Sequence, residues 1–184
     1  MTHQCVPDIW LLSDARNDAV LEQALAALPP RSGMVFRHYH LGGDERRRRF
    51  DALAAQARTR GVTVVLSGSA EQAQRWGADG VYGAPHRLGE PSGFLRLATA
   101  HGAAELQAAQ AAAASAAFLS PVFPTRSHAG THCLGPDRFL ELARSAALPV
   151  IALGGMDARR AAQIAWPCWG AIDGLTTGAG PASP

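Results

Sequence analysis

The chain has 184 residues, 47% hydrophobic and 17% charged, with a formal net charge of +2, a composition that excludes a disordered chain and offers no basis for a nucleic-acid or membrane partner. Its three cysteines, Cys5, Cys133 and Cys168, are far apart and form no Cys-x-x-Cys pair, so neither a disulfide framework nor a zinc site is expected, and a reducing cytoplasm is the expected location. No apolar run nears the roughly 18 residues of a membrane span, and the polar start Met1-Thr2-His3-Gln4 does not read as a signal peptide.

Taken in chain order, short apolar runs rich in β-formers recur at residues 9–13, 34–39, 62–66, 80–83, 94–99, 117–123, 150–153 and 171–175. Stretches with helical spacing lie between them at 19–28, 44–60, 103–114, 137–147 and 157–165. Asp44, Asp137 and Asp157 stand where a carboxylate caps the following helix. The runs are apolar throughout and do not alternate, so they predict parallel strands buried on both faces. Two helices of the repeat are deficient: 84–93 is rich in Gly and Pro and too short for a full helix, and the tail 178–184 holds none.

The pattern predicts one domain over residues 1–184, a compact α/β (β/α)8 TIM-type barrel with the helix after strand four reduced and the C-terminal helix missing. The rival is a doubly wound open sheet, but Ser13-Asp14-Ala15-Arg16 follows the first strand where that fold carries a Gly-rich turn. A barrel without its last helix leaves apolar surface that a partner subunit or the tail must shield, which predicts a homodimer.

Four features could carry chemistry. Gly154-Gly155 ends the seventh strand before the helix that Asp157 opens; paired glycines there let backbone N–H groups approach a phosphate, and the helix start adds a favourable dipole. A tight turn needing glycine for sterics alone is the competing reading. After the sixth strand, Thr125, Arg126, Ser127 and His128 supply two hydroxyls, a guanidinium and an imidazole to a long loop that reads as a phosphate-binding lid or as a solvated loop. Arg37 sits inside the run 34–39, where it meets either an anion at the barrel mouth or an internal partner such as Asp14. Thr99 and His101 end the fifth strand, with His101 either structural or a proton-transfer group. Arg46-Arg47-Arg48-Arg49, set among Asp44, Glu45 and Asp51, reads as a solvated face.

On Trp10-Leu11-Leu12-Ser13-Asp14, Gly77-Ala78-Asp79-Gly80-Val81, Ser120-Pro121-Val122-Phe123-Pro124-Thr125 and Pro149-Val150-Ile151-Ala152-Leu153-Gly154-Gly155-Met156, the chain resembles the thiamine-phosphate synthase and TenI (thiazole tautomerase) superfamily. The resemblance implies a dimeric (β/α)8 barrel of thiamine biosynthesis that joins a pyrimidine pyrophosphate to a thiazole phosphate and releases pyrophosphate with Mg2+ assistance. It places the thiazole phosphate on Gly154 and Gly155, with Thr125 and Ser127 beside it. Arg37 falls on the arginine of a Gln-x-Arg-x-Lys strand, Thr99 on a serine, and His128 on a pyrophosphate-binding lysine.

The departures from that pattern bear on the metal. Val35 and Tyr39 replace the flanking glutamine and lysine, Ser67-Gly68 an Asn-Asp pair, and Arg87 an acidic residue. Mg2+ requires oxygen ligands, so it could enter only through the substrate's pyrophosphate, and no protein metal site is expected. Pro121 stands where the tautomerase branch has a histidine. The readings are therefore a synthase of weak or altered activity with Arg37 and His128 at the leaving group, a tautomerase or isomerase using His101 or His128, or a non-catalytic binder of a thiazole or thiamine phosphate.

Overall fold

The computed structural model describes residues 6–90, 93–126 and 133–176. Eight parallel strands, β1 (Ile9–Leu12), β2 (Ser32–Phe36), β3 (Thr63–Ser67), β4 (Gly80–Gly83), β5 (Leu95–Ala100), β6 (Ala116–Leu119), β7 (Val150–Ala152) and β8 (Trp169–Ala171), hydrogen-bond in chain order into a closed barrel. Closure is made where Ile9, Trp10 and Leu11 pair with Trp169, Gly170 and Ala171. That pairing sets β8 at 169–171, earlier than the run 171–175 expected from composition. Helices α1 (Leu21–Ala27), α2 (Gly43–Thr59), α3 (Ala70–Trp76), α4 (Ala103–Ala111), α5 (Gly135–Ser145) and α6 (Ala158–Gln163) pack outside.

The uniformly apolar strands divide their side chains between two cores. Trp10, Leu12, Val35, Val65, Tyr82, Leu97, Phe118 and Ile151 fill the barrel, whereas Leu11, Met34, Phe36, Val64, Leu66, Phe50 and Phe139 seal strands against helices. Gly33 is needed beside Trp10: a Cβ there would lie 2.4 Å from the indole ring. Burying Leu11, Met34 and Phe36 completely stabilises the fold by about 1.5–3 kcal/mol per side chain, so the outer layer of each strand matters as much as the barrel interior.

Helix α3 is absent from the sequence expectation although its stop and start are marked: Ser69 accepts from Gln72 N, and Gly77 closes it in the left-handed region. Of the three expected aspartate caps, only Asp157 caps, accepting from Arg160 N at 2.8 Å. Asp44 and Asp137 lie inside the first turns of α2 and α5, because those helices begin earlier, at glycines 43 and 135.

The connection after β4 is a single 3-10 turn at Pro85–Arg87, as expected from 84–93. Arg96, 4% exposed, compensates for the missing helix by donating to the carbonyls of Leu88 (3.4 Å), Gly89 (2.5 Å) and Ala113 (3.0 Å). No helix follows β8 among the described residues; the tail 178–184 lies outside them. Asn17 stitches this seam instead, donating to Leu12 O at 3.0 Å and Ile172 O at 2.9 Å. Among the described residues the exposed large hydrophobics are Val20 and Tyr39.

Candidate functional site

A cavity of about 440 Å3 opens at the C-terminal ends of the strands. Parallel strands with helical crossovers deliver every βα loop to this end, so residues remote in sequence converge there. Of the expected site residues, Arg37, Thr99, His101, Thr125, Gly154 and Gly155 all line it. Ser127 and His128 lie outside the described residues.

The wall after β7 is a glycine turn pinned from behind. Gly154 (φ 93°) and Gly155 (φ 63°) occupy backbone conformations that other residues take at a cost. Sterics also demand glycine: a Cβ on Gly154 would lie 2.6 Å from Pro121 Cα, and one on Gly155 2.6 Å from Pro124 O. The carbonyls of Leu153 and Gly154 accept from Val122 N (2.9 Å) and Phe123 N (3.0 Å), and the Gly155 carbonyl accepts from Arg160, whose guanidinium stacks 5.0 Å from the Phe123 ring. Among the described residues no hydrogen bond uses the N–H groups of Gly154 or Gly155. The turn thus consumes its acceptors in the fold and leaves donors for an anion. The six-residue α6 contributes no open helix start, since Asp157 already occupies it.

Across the cavity, Arg37 lies one residue beyond β2, not within the strand as its sequence run suggests. Arg37 lines the cavity, and its Nη2 donates at 3.3 Å to Asp14 Oδ2, the internal partner expected for it. Burial raises the Asp14 carboxyl, but hydrogen bonds and charge from Arg16, with Arg37 behind them, outweigh this and hold it below the usual carboxylate range. Arg37 Nε is buried without a hydrogen-bond partner. The guanidinium also sits 5.4 Å from the Tyr39 ring, whose hydroxyl bonds Ser67 Oγ at 2.6 Å. Arg46 props this wall, donating to Arg37 O (2.9 Å) and Ser67 O (2.7 Å) between the rings of Phe36 and Trp76. The arginine run is therefore not only a solvated face. Arg49 likewise reaches back to Asp18 and Glu22.

A buried chain backs Arg37. Its N–H donates to Ser13 Oγ (2.8 Å), Ser13 bonds His38 Nδ1 (2.7 Å), and His38 Nε2 bonds Asp18 Oδ1 (2.8 Å). A neutral His38 with its proton on Nε2 satisfies both contacts, accepting at Nδ1 from the Ser13 O–H and donating to Asp18. Burial pushes the His38 imidazole below its ordinary value, against the opposing pull of Asp18. Asp18, His38 and His40 bring possible ligand atoms within 4.8 Å of one another, but outside the cavity lining and with Asp18 committed to Arg49.

His101 lines the cavity half-exposed, its Nδ1 2.8 Å from Glu105 Oε2 on α4. Ser67, Gly68 and Arg87 also line it, and Asp173 is the carboxylate among the described lining residues. Asp173 is paired with Arg126 at 2.9 Å and Arg16 at 3.7 Å. Asp79 sits at the opposite barrel end, its Oδ2 accepting from Val64 N at 2.8 Å. Sequence reasoning misses Tyr39, Tyr82, Ser120 and Asp173; for Tyr82 the signal is its place in an apolar strand of a barrel, where alternate side chains must point inward.

The model of the family described as thiamine monophosphate synthase matches residues 95–172, a span that holds Thr99, His101, Thr125, Gly154 and Gly155 but not Arg37, Ser67, Gly68 or Arg87. The fold is similar to a thiamine phosphate pyrophosphorylase from Pyrococcus furiosus, with 17% identity over 94% of this chain and 88% of the other and a TM-score of 0.76. It is also similar to a thiamine phosphate pyrophosphorylase from Bacteroides thetaiotaomicron (13%, 90% and 81%, TM-score 0.60) and to FabK from Thermotoga maritima (14%, 92% and 59%, TM-score 0.68). No curated protein matches the chain in sequence. The chain thus has a TIM-type barrel and, over residues 95–172, resembles in sequence the family described as thiamine monophosphate synthase.

Proposed function

We propose that the cavity binds phosphorylated heterocycles and that the chain acts as a thiamine-phosphate-synthase-like transferase, joining a pyrimidine pyrophosphate to a thiazole phosphate without a protein-held metal ion. One observation carries this reading: Arg37, Arg87 and a glycine turn with unused N–H donors face one cavity whose described carboxylate, Asp173, is already neutralised by two arginines. Such a site favours anions.

The residues present do not fit Mg2+. Where the resemblance places its oxygen ligands stand Ser67, Gly68 and Arg87, and a guanidinium repels a divalent cation. The chain's own groups then have to do the work. The thiazole phosphate rests on Gly154, Gly155 and Thr125. The carbon–oxygen bond of the pyrimidine pyrophosphate breaks with its electron pair leaving on pyrophosphate, where Arg37 and Arg87 offset the charge, and the thiazole nitrogen lone pair forms the new carbon–nitrogen bond. Arg37 reaches this role pre-oriented by Asp14 and Ser13, so little conformational freedom is lost on binding.

Among the described cavity residues an isomerase reading lacks a buried base: His101 is half-exposed and turned to Glu105, and Pro121 carries no titratable group. Incubating the purified protein with both substrates, with and without Mg2+, and assaying thiamine phosphate by chromatography tests the proposal. Slow product formation that is lost in Arg37→Ala supports it. Binding of both substrates with no product leaves a non-catalytic binder, and binding of neither overturns it.

A further inference from the structure

The aromatic ladder inside the barrel ends in a hydrogen-bond donor that the fold does not use. Trp10 meets Phe118 edge-on at 5.8 Å, and Phe118 meets Tyr82 edge-on at 5.3 Å. At the far end of the ladder, Trp10 Nε1 donates to Pro7 O at 2.8 Å. At the mouth end, Tyr82 is 7% exposed and joins the cavity lining. Among the described residues no hydrogen bond is made by its hydroxyl, which leaves this donor to what occupies the cavity that Tyr82 lines. Register places Tyr82 opposite Ser67 on β3 and Leu97 on β5, so it stands on the arginine side of the barrel, while the glycine turn follows β7 on the opposite side.

The hydroxyl has charged company. Burial pushes the phenol well above its ordinary value, and Arg37 only partly opposes this, so Tyr82 stays protonated and serves as a donor, never as a base, in the physiological range. On the same side Arg37 also lines the cavity, its Nε buried without a partner among the described residues. A hydroxyl donor on the cavity wall, with Arg37 and Arg87 lining the same cavity and no free carboxylate among the described lining residues, leaves an anionic oxygen as the matching group.

We propose that Tyr82 belongs to the anion-binding wall with Arg37 and Arg87, and that its O–H donates to an oxygen of the ligand's second anionic group, the one distal to Gly154-Gly155. This rests on the reading of the cavity as an anion site. It gives a metal-poor site a neutral donor that distinguishes a pyrophosphate-bearing ligand from one with a single phosphate at the glycine turn.

Titration calorimetry in EDTA with inorganic pyrophosphate and, separately, thiazole phosphate tests it on the wild type and Tyr82→Phe. Phe keeps the ring and removes an unpaired hydroxyl, so Tyr82→Phe melts no lower than wild type, whereas a merely structural hydroxyl would lower the melting temperature when removed. Pyrophosphate binding weakens by about tenfold, the scale of one hydrogen bond to a charged group, and thiazole phosphate binding stays unchanged. Unchanged pyrophosphate affinity, or an equal loss for both ligands, overturns the role of Tyr82 while leaving the anion site standing. Failure of the wild type to bind either ligand overturns the anion site and this inference with it.

Discussion

The glycine turn permits a test that separates a phosphate cradle from a turn built for sterics. Gly155→Ala and Gly155→Asp introduce the same Cβ, at φ 63° and 2.6 Å from Pro124 O. The left-handed backbone costs a non-glycine residue about 1–2 kcal/mol. The approach to a backbone oxygen, which cannot rotate away as a side-chain end would, adds about 1–3 kcal/mol. Both variants should therefore lose about 2–5 kcal/mol, which in a domain of this size lowers the melting temperature by roughly 4–20 °C. They differ in charge. A carboxylate about 4 Å from one negative charge costs about 4 kcal/mol at the effective dielectric of a protein surface, and halving that for the open cavity leaves about 2 kcal/mol. Gly155→Asp should then bind thiazole phosphate about thirtyfold more weakly than Gly155→Ala, measured by calorimetry at a temperature where both are folded. Equal affinities for the two variants would show that no anion sits at the turn.

Other consequences follow from the same geometry. Folding leaves His38 with a depressed pKa, so its contribution to stability is complete above the unfolded value of about 6.5 and is lost as pH falls below it; His38→Asn should flatten the denaturant-midpoint slope below about pH 6.5, and an unchanged slope would contradict the buried neutral imidazole. Asp14 and Asp18 are also depressed but lose their contribution only as pH falls below about 4, so their loss shows as a separate acid transition. Asp157→Ala should cost about 1 kcal/mol through the lost cap on α6, read as a shift in chemical-denaturation midpoint. Ser67→Asn with Gly68→Asp and Arg87→Asp should create Mg2+ binding measurable by calorimetry. The crowding atom at Gly68 is the flexible Gln72 Oε1, 2.4 Å from a built Cβ, so the change is accommodated; a folded triple variant that ignores Mg2+ would contradict the ligand positions.

The barrel was legible because its signal is carried by burial: strands covered on both faces must be apolar throughout, and glycine and proline mark the joins between them. Element edges were less so. β8 is fixed by its pairing with Ile9 and Leu11, a contact across 160 residues of chain, and α3 is short enough that its caps, not its periodicity, define it. At the site, Gly154, Gly155, Thr125 and Thr99 were readable from their place after strands. Tyr82 was hidden because its strand looks like any apolar run, and the inward or outward face of a side chain depends on register. Arg46 was hidden for the opposite reason: within an arginine-rich helix nothing local distinguishes the guanidinium that turns inward to Arg37 O and Ser67 O from its solvated neighbours.

The central claim is that this cavity holds a pyrophosphate by its own donors and without a metal of its own. Calorimetric titration of the wild-type protein with inorganic pyrophosphate in EDTA, paired with titration by Mg2+ alone, tests it most directly. Saturable pyrophosphate binding in EDTA, weakened in Arg37→Ala, together with no heat from Mg2+ alone, is the predicted result. Saturable Mg2+ binding by the free protein, or pyrophosphate binding that appears only when Mg2+ is added, would contradict it.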